Sequence, residues 1–235
     1  MHNVTQNFGS VKCRKFVQPL LGLCYTACIM REEEQSGEAL VLPHRQRGNL
    51  LVVSGPSGVG KDTIIEQVLT QTPGVVRSVS ATTRPPREGE RDGQDYFFLS
   101  LPQFEEAIKE GKFLEYARYG SHYYGTPKEP VEKQLEQGLD VVLKIEVQGA
   151  FQVKQIVPTA ILVFIAPPSL HELKRRLIQR GTESEERIKE RLRIAREELA
   201  VLPRYDYCVI NDLVETACEG LRAIILAERL RIRNP

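Results

Sequence analysis

Residues 55–61, Gly-Pro-Ser-Gly-Val-Gly-Lys, constrain the fold more than any other part of the chain. They follow an apolar run at 50–53 and precede residues 63–69, in which apolar side chains recur at helical spacing. A glycine-rich turn between a strand and a helix directs backbone N–H groups toward one point, where the helix presents its positive end. Lys61 can then reach the terminal phosphates of a nucleotide. The segment predicts a phosphate-binding loop for ATP or GTP; the alternative is a glycine-rich turn without a ligand.

Hydrophobic periodicity after residue 48 alternates between the strand and the helix repeat. It predicts strands at 49–54, 76–82, 94–99, 113–119, 140–146, 160–165 and 206–210, and helices at 61–71, 102–110, 127–137, 148–157, 169–180, 184–199 and 213–230. This order favours an α/β fold with a parallel sheet wrapped by helices. The stretch from 76 to about 125 has fewer long helices and predicts a small β-rich insertion. Capping boxes are expected at 169–172 and at 182–185, the second formed by Thr182 and Glu185.

Bulk composition restricts the class of protein. The chain has 235 residues, of which 41% are hydrophobic and 27% charged, which is typical of one globular domain. Lys and Arg total 32 against 31 for Asp and Glu, so no overall field attracts nucleic acid or an anionic membrane, and phosphate affinity must be local. Five cysteines without zinc-like pairing with histidines indicate reduced thiols in a cytosolic protein.

Residues 1–47 differ from the rest of the chain. Three basic residues at 12–15 precede an apolar run from 16 to 30 that Gln18 and Pro19 interrupt. The run is too short and too broken to span a bilayer. The chain has two methionines, Met1 and Met30. We expect a disordered extension, or a start of translation at Met30; a targeting segment is the alternative.

Two groups of arginines invite either a functional or a structural interpretation. Arg84 and Arg87 flank a Pro-Pro pair, which restricts where their guanidinium groups point and favours an anion site. The alternative is a solvated turn neutralised by nearby acids such as Glu90. A second group lies on two helices joined by Gly181, where a solvated face competes with a lid that delivers cations to a transferring phosphoryl group. Its members are Arg175, Arg176, Arg180, Arg187, Arg191 and Arg193.

Several motifs in sequence order resemble the guanylate kinase family over about 49–230. They are the loop at 55–61, S-V-S-A-T-T-R-P-P-R-E-G-E, D-G-Q-D-Y-F-F, F-L-E-Y-A, Y-Y-G-T, V-Q-G-A, F-I-A-P-P-S and R-G-T-E-S. The resemblance implies a phosphate-loop NTPase fold with a core (48–75, 127–170, 200–235), a GMP-binding part (76–126) and a helical lid (about 171–199). It implies a cytoplasmic enzyme of purine metabolism that phosphorylates GMP and dGMP with ATP and Mg²⁺. No nucleic-acid or membrane partner is expected, and the oligomeric state stays open.

The resemblance also assigns site residues. The expected ATP site comprises Gly55, Pro56, Ser57, Gly58, Val59, Gly60, Lys61, Asp62, Thr63 and, near the adenine, Asn211. The expected GMP site comprises Ser80, Arg84, Arg87, Tyr96, Glu115, Tyr124, Gly125, Thr126 and Glu146. Lys61, Arg176, Arg180 and Arg191 are the expected catalytic cations. The chemistry of Glu115 agrees, because a carboxylate accepts from the adjacent N1–H and N2–H₂ donors of guanine, while Ser80 or Thr126 donates to O6.

Two positions depart from the family pattern. Asp62 follows the loop lysine, where the family commonly has Ser or Thr as a ligand of Mg²⁺, and in this respect the chain resembles plastid and cyanobacterial-type members. Lys144 and Glu146 stand where two aspartates are common. A carboxylate can ligate Mg²⁺, so we expect Asp62 to be a metal ligand of an active enzyme with an altered metal shell. An ion pair with a neighbouring acid is the structural interpretation of Lys144.

Three other functions compete with this one. Some guanylate-kinase-like domains are protein-interaction modules with little or no catalysis, but they typically lack parts of the loop and the lid arginines that this chain retains. A GTPase would require an N-K-x-D motif, which the sequence lacks. Another nucleoside monophosphate kinase is possible if Glu115 and Thr126 do not face the base.

Overall fold

Strands and helices alternate along the parts of the chain that the computed structural model describes, residues 47–179 and 184–232. The strands are β1 (Leu50–Ser54), β2 (Val75–Arg77), β3 (Ala81–Thr82), β4 (Phe97–Phe98), β5 (Phe113–Tyr119), β6 (His122–Pro127), β7 (Asp140–Lys144), β8 (Ile161–Ala166) and β9 (Tyr207–Ile210). The helices are α1 (Lys61–Gln71), α2 (Leu101–Lys109), α3 (Lys128–Glu136), α4 (Val147–Ile156), α5 (Leu170–Gln179), α6 (Glu185–Ala200) and α7 (Val214–Leu230), with a 3₁₀ turn at Leu202–Arg204.

Five strands form a parallel sheet in the order β2-β7-β1-β8-β9. Every residue of β1 is buried. Leu51 and Val53 pack with α1 and α7 on one face, while Leu50 and Val52 pack with α3 and α4 on the other. Successive side chains of a strand point to opposite faces, so a strand covered on both sides must be apolar throughout. The predicted parallel sheet wrapped by helices is confirmed.

A second sheet of four short strands, in the order β4-β3-β6-β5, lies between β2 and α3 in sequence. Strands β5 and β6 form an antiparallel hairpin, and α2 covers the sheet through the buried Phe104, which stacks on Phe113 with ring centroids 4.4 Å apart. The single strand expected at 76–82 is divided, because Val75–Arg77 pair with β7 in the parallel sheet whereas Ala81–Thr82 pair with β6. Strand β6 was not predicted from the sequence.

The caps of the two helices after β8 agree with the sequence in one case only. At α5 the hydroxyl of Ser169 accepts a hydrogen bond from the backbone N–H of Glu172 at 3.1 Å, which is one half of the expected box, while the carboxylate of Glu172 accepts from Arg175 and Arg176. At α6 the N-cap is Ser184, whose hydroxyl accepts from the N–H of Arg187 at 3.4 Å. The expected box of Thr182 and Glu185 is therefore wrong, since the helix begins too late for Glu185 to be its third residue; Thr182 itself lies outside the described residues.

A fully buried carboxylate, Asp140, joins three segments at the start of β7. The backbone N–H of Asn49 donates to its Oδ1 at 2.7 Å, and the Nε of Arg229 in α7 donates to its Oδ2 at 2.7 Å. Arg229 also donates to the carbonyl of Pro73 at 2.8 Å. The pair thus ties α7 to the amino-terminal edge of the central sheet, opposite the edge where the loop lies.

We expect Arg229→Met to lower the free energy of unfolding by about 3 kcal/mol, because it removes a guanidinium that is hydrogen-bonded to a buried carboxylate. Urea denaturation followed by circular dichroism measures the change. The control is Arg193→Met, which removes two ion pairs that are exposed on the surface of α6, with Glu190 and Glu197, and should be nearly neutral. An Arg229→Met protein as stable as the unmodified chain would show that the burial of Asp140 does not depend on Arg229.

Candidate active site

A cavity of about 1020 Å³ lies where β1 and β7 end. The glycine-rich loop, Asp62 and Lys144 line it together with residues of the second sheet and of α6. In open parallel α/β sheets, ligands bind outside the carboxyl ends of the strands. The location is therefore the one that the strand-loop-helix pattern predicts.

The loop between β1 and α1 lies tightly against the ends of neighbouring strands. A Cβ atom on Gly55 would be 2.1 Å from the carbonyl oxygen of Ile165 in β8, and Gly55 has a φ of 142°. Gly60, the N-cap of α1, has a φ of 96°, and a Cβ there would be 2.6 Å from Nδ2 of Asn211. Residues with a side chain rarely adopt these angles, so the path of the loop requires glycine at both positions.

Asn211 supports the loop from below. Its side chain is buried after β9, and its Nδ2 donates to the carbonyl of Val59 at 2.6 Å. Arg176 of α5 is bound in turn to this segment: its guanidinium donates to the carbonyls of Asn211 and Asp212 at 3.0 and 3.3 Å and to Glu172 at 2.8 Å. Arg176 therefore contacts the support of the loop and does not line the cavity.

Lys61 folds back over the loop from the first turn of α1. Its Nζ donates to the carbonyls of Gly55 and, at 3.0 Å, of Pro56. Burial lowers the pKa of Lys61, the negative charge of Glu198 opposes that shift, and the positive charge of Lys144 adds to it. The loop lysine thus shares its surroundings with a second ammonium group.

Asp62 and Lys144, the two departures from the family pattern, form an ion pair. The Nζ of Lys144 lies 2.5 Å from Oδ1 of Asp62, and a guanidinium nitrogen of Arg77 lies 3.8 Å from the same oxygen. Burial acts to raise the pKa of Asp62, but the hydrogen bond and charge of Lys144, followed by the charge of Arg77, hold it below the ordinary value. Asp62 is therefore an ionised carboxylate at the entrance to the loop.

A buried carboxyl group, Glu115, faces the cavity from β5. It is 8% exposed, and the Thr126 hydroxyl donates to its Oε1 at 2.7 Å. Gly149 of α4 leaves room for it, since a Cβ at Gly149 would be 2.8 Å from the other oxygen. Burial raises the pKa of Glu115, while the hydrogen bond from Thr126 opposes the shift. This group can present hydrogen-bond acceptors to a ligand in a nearly dry environment.

Arg84 is held by an acid and by two rings. One nitrogen of its guanidinium donates to both carboxylate oxygens of Glu90 at 2.8 and 2.9 Å, and the group lies 5.4 Å from the ring centroid of Tyr96 and 5.8 Å from that of Phe98. Glu90 also accepts from the backbone N–H of Arg87 at 2.7 Å. Glu90 is thus the neutralising acid that the interpretation as a solvated turn predicts, and this residue also lines the cavity.

Helices α5 and α6 reach the loop from the other side. Arg191 of α6 donates to the hydroxyl of Ser57, and Leu177 of α5 packs against Gly58. Glu198 lies seven residues after Arg191, on the same face of the helix, and also lines the cavity. Burial raises the pKa of Glu198, and the charge of Lys61 opposes that shift.

The structure brings most of the expected site residues to one cavity. Those that line it are Gly55, Ser57, Gly58, Gly60, Lys61, Asp62, Thr63, Ser80, Tyr96, Glu115, Tyr124, Gly125, Glu146 and Arg191. Those that do not line it are Pro56, Val59, Arg84, Arg87, Thr126, Arg176 and Asn211. Arg180 lies outside the described residues.

Several lining residues were missed by the sequence analysis, among them Arg77, Tyr119 and Glu198. Glu198 could have been found from its spacing to Arg191. Tyr119 is the last residue of β5, and burial and a hydrogen bond to Glu146 raise its pKa. Arg77 ends a strand of the central sheet, and no pattern in the sequence distinguishes it from the other arginines.

Comparison with known proteins identifies the class. A model of the guanylate kinase family matches residues 47–228. A guanylate kinase of Bacillus cereus is 51% identical over 187 residues, covering 79% of this chain and 91% of that protein; one of Caldanaerobacter subterraneus is 51% identical over 188 residues, with 80% and 91% covered. The crystal structure of the guanylate kinase of Anaplasma phagocytophilum superposes with a TM-score of 0.63 at 30% identity, over 80% of this chain and 89% of that one.

Fold, loop and cavity together define a nucleotide-binding protein of the phosphate-loop class. Within that class, the chain belongs to the guanylate kinase family. The family is one of nucleotide kinases that use a divalent metal with ATP. Within residues 47–179 and 184–232, no cluster of three or more His, Cys, Asp or Glu side chains could hold a metal ion without a ligand's help. In the same part of the chain, no helix is long and apolar enough to cross a membrane.

We expect Asn211→Ala to loosen the loop, because it removes the donor to the Val59 carbonyl and the side chain beneath Gly60. Hydrogen exchange measured by mass spectrometry should show faster exchange in residues 55–62, with a loss of about 1–2 kcal/mol in unfolding free energy. Asp212→Ala is the matched control, since this exposed neighbour contacts Arg176 through its backbone carbonyl. Unchanged exchange in the loop would contradict the supporting role of Asn211.

Proposed function

We propose that the chain transfers the terminal phosphoryl group of ATP to GMP, and to dGMP, giving ADP and GDP or dGDP. The observation that carries the proposal is one cavity in which the phosphate loop with Lys61 lies opposite the buried carboxyl group of Glu115. Relatives at 51% identity are guanylate kinases. A phosphate site and a base-reading carboxyl group in the same cavity are what a transfer between two nucleotides requires.

The loop holds the phosphates of ATP. Helix α1 begins at the cavity, after its N-cap Gly60, and N–H groups at a helix N-terminus bind phosphate. Lys61 can exchange its loop carbonyls for phosphate oxygens because charged partners form the stronger hydrogen bonds. Phosphoryl transfer needs alignment and charge neutralisation and no side-chain nucleophile. The burial of Lys61 serves this task, since charge interactions strengthen where water is excluded.

Glu115 reads guanine. Its carboxylate accepts hydrogen bonds from N1–H and N2–H₂, and the Thr126 hydroxyl keeps one carboxylate oxygen oriented. Ser80, which lines the same cavity, is the donor available for O6. Adenine presents no pair of adjacent donors on this edge, so it would leave a buried carboxylate unpaired, which is costly.

The match to the family motif assigns the phosphate of GMP to four residues, of which the two tyrosines line the cavity and the two arginines do not: Tyr96, Tyr124, Arg84 and Arg87. Glu90 and the Pro85 carbonyl fix the guanidinium of Arg84 against the Tyr96 ring, so that its direction is set before the substrate arrives. The two tyrosine rings meet edge to face with centroids 6.2 Å apart, and both line the cavity. A guanidinium held in advance loses less freedom when it binds phosphate.

The arginines of α5 and α6 divide into two roles. Arg191, bound to the loop hydroxyl of Ser57, is placed to neutralise charge on the transferring group. Arg176 positions the loop through the carbonyls of Asn211 and Asp212. Arg180 lies outside the described residues, and its role as a phosphate cation rests on its match to the family motif.

Asp62 fits a divalent metal. Its carboxylate is 59% exposed at the mouth of the loop, and Mg²⁺ usually takes one or two carboxylates together with substrate phosphates. Bound there, Mg²⁺ would neutralise part of the phosphate charge.

We place the protein in the cytoplasm, with ATP, GMP and dGMP as its partners.

The decisive assay is ADP production by the purified chain with ATP, Mg²⁺ and one of GMP, dGMP, AMP, CMP or UMP. We expect turnover with GMP and dGMP and none after Lys61→Ala, because the loop then lacks its phosphate cation. Turnover with AMP, CMP or UMP as fast as with GMP would refute the assignment of the base. Nucleotide binding without turnover would instead favour a protein-interaction module.

Glu115→Gln should raise the KM for GMP by about 100-fold and leave the KM for ATP nearly unchanged, because the amide NH₂ faces the guanine donors. The affinity for GMP should also fall as the pH drops through the raised pKa of Glu115, since the protonated carboxyl loses acceptor capacity. This acid limb should be absent in Glu115→Gln. The exposed Glu105→Gln in α2 is the control, and equal losses for GMP and ATP would contradict the role of Glu115.

A further inference from the structure

Lys144 occupies a position that the proposed function leaves without a role. It is the last residue of β7 and lies beside Val53 of β1 in the register of the central sheet. Its side chain, 30% exposed, extends to Asp62 in the first turn of α1 and lines the main cavity. The ammonium group therefore stands at the mouth of the phosphate loop.

Three cations surround the one carboxylate at this point. Oδ1 of Asp62 is 2.5 Å from Nζ of Lys144 and 3.8 Å from a guanidinium nitrogen of Arg77. The third cation is Lys61, which precedes Asp62 in the chain and whose charge also lowers the pKa of Asp62. Glu146 and Glu198 line the same cavity and oppose the positive charge at Lys61, but Lys144 and Arg77 share the carboxylate of Asp62. This corner of the cavity therefore favours an anion such as a polyphosphate.

The ion pair of Asp62 and Lys144 can be exchanged for a phosphate. More than half of the Asp62 side chain is exposed, and ion pairs in contact with water contribute little to stability. A phosphate group carries more negative charge than a carboxylate and offers three acceptor oxygens. The ammonium of Lys144 can thus leave Asp62 for a phosphate oxygen without exposing an unpaired buried charge.

We propose that Lys144 is a second phosphate-binding lysine, which Asp62 holds at the mouth of the loop until the phosphates of ATP arrive. The proposal rests on the proposed function, because the ligand is the ATP of that same cavity. It assigns to Lys144 a direct contact with the terminal phosphates. The two departures from the family pattern then act together, because the carboxylate of Asp62 keeps the side chain of Lys144 extended toward the phosphate loop.

The test measures ATP affinity by isothermal titration calorimetry in EDTA, where no divalent metal contributes. Lys144→Met removes the charge and keeps most of the stem, and should weaken ATP binding on the order of tenfold. Lys144→Arg should retain most of the affinity. Lys109→Met removes a lysine that is paired with Glu106 away from the cavity, and should change nothing.

Asp62→Asn separates phosphate binding from a merely structural ion pair. It breaks the same pair but keeps the ammonium. The loss of a negative charge beside the phosphates should outweigh the looser placement of Lys144, so ATP should bind at least as tightly as to the unmodified chain. GMP affinity should be unchanged in Lys144→Met. The melting temperature of each variant shows whether it is folded, and if Lys144→Met does not fold, the comparison of Asp62→Asn with the unmodified chain decides.

Three results would overturn the proposal: unchanged ATP affinity in Lys144→Met, weaker ATP binding in Asp62→Asn, or a loss confined to GMP. If the unmodified chain binds ATP while Lys144→Met binds it equally well, only the role of Lys144 fails. If the unmodified chain does not bind ATP, the proposed function fails as well.

Discussion

The site depends on how closely the loop after β1 approaches the ends of β8 and β9. Gly55 lies against the carbonyl of Ile165, and Gly60 lies against the side chain of Asn211. These contacts leave no room for a Cβ atom, and the Val59 carbonyl is bound to Asn211 from below. Because Gly60 is the N-cap of α1, the same contacts determine where the N-terminus of the helix and Lys61 point.

The sheet order makes this approach possible. β1 lies between β7 and β8, so the loop meets β8 on one side and faces the end of β7 on the other. Strand β8 gives the loop a rigid support, and the end of β7 carries Lys144. A parallel arrangement is necessary here, because only parallel neighbours bring their carboxyl ends to the same edge of a sheet.

The two sheets differ in how far they exclude water from the charged groups of the cavity. The central sheet and α1 carry the ion pair of Lys144 and Asp62 in contact with water, whereas Glu115 of the second sheet is buried against Thr126 and against Gly149 of α4. An exposed ion pair exchanges partners readily, while a buried carboxyl group discriminates strongly between ligands that satisfy it and ligands that do not. One cavity therefore combines an adaptable phosphate side with a selective base side.

The sequence by itself determined the loop, the alternation of elements and, through the resemblance to the family, most residues of the cavity, because periodicity and glycine placement are local properties. Only the tertiary structure decided the rest. Residues 76–82 contribute to two sheets, and β6 pairs with β5. Arg176 contacts the support of the loop and does not line the cavity, and Asp62 forms an ion pair with Lys144. Each of these depends on pairing between segments far apart in the chain, and local propensity carries no information about which distant residues meet.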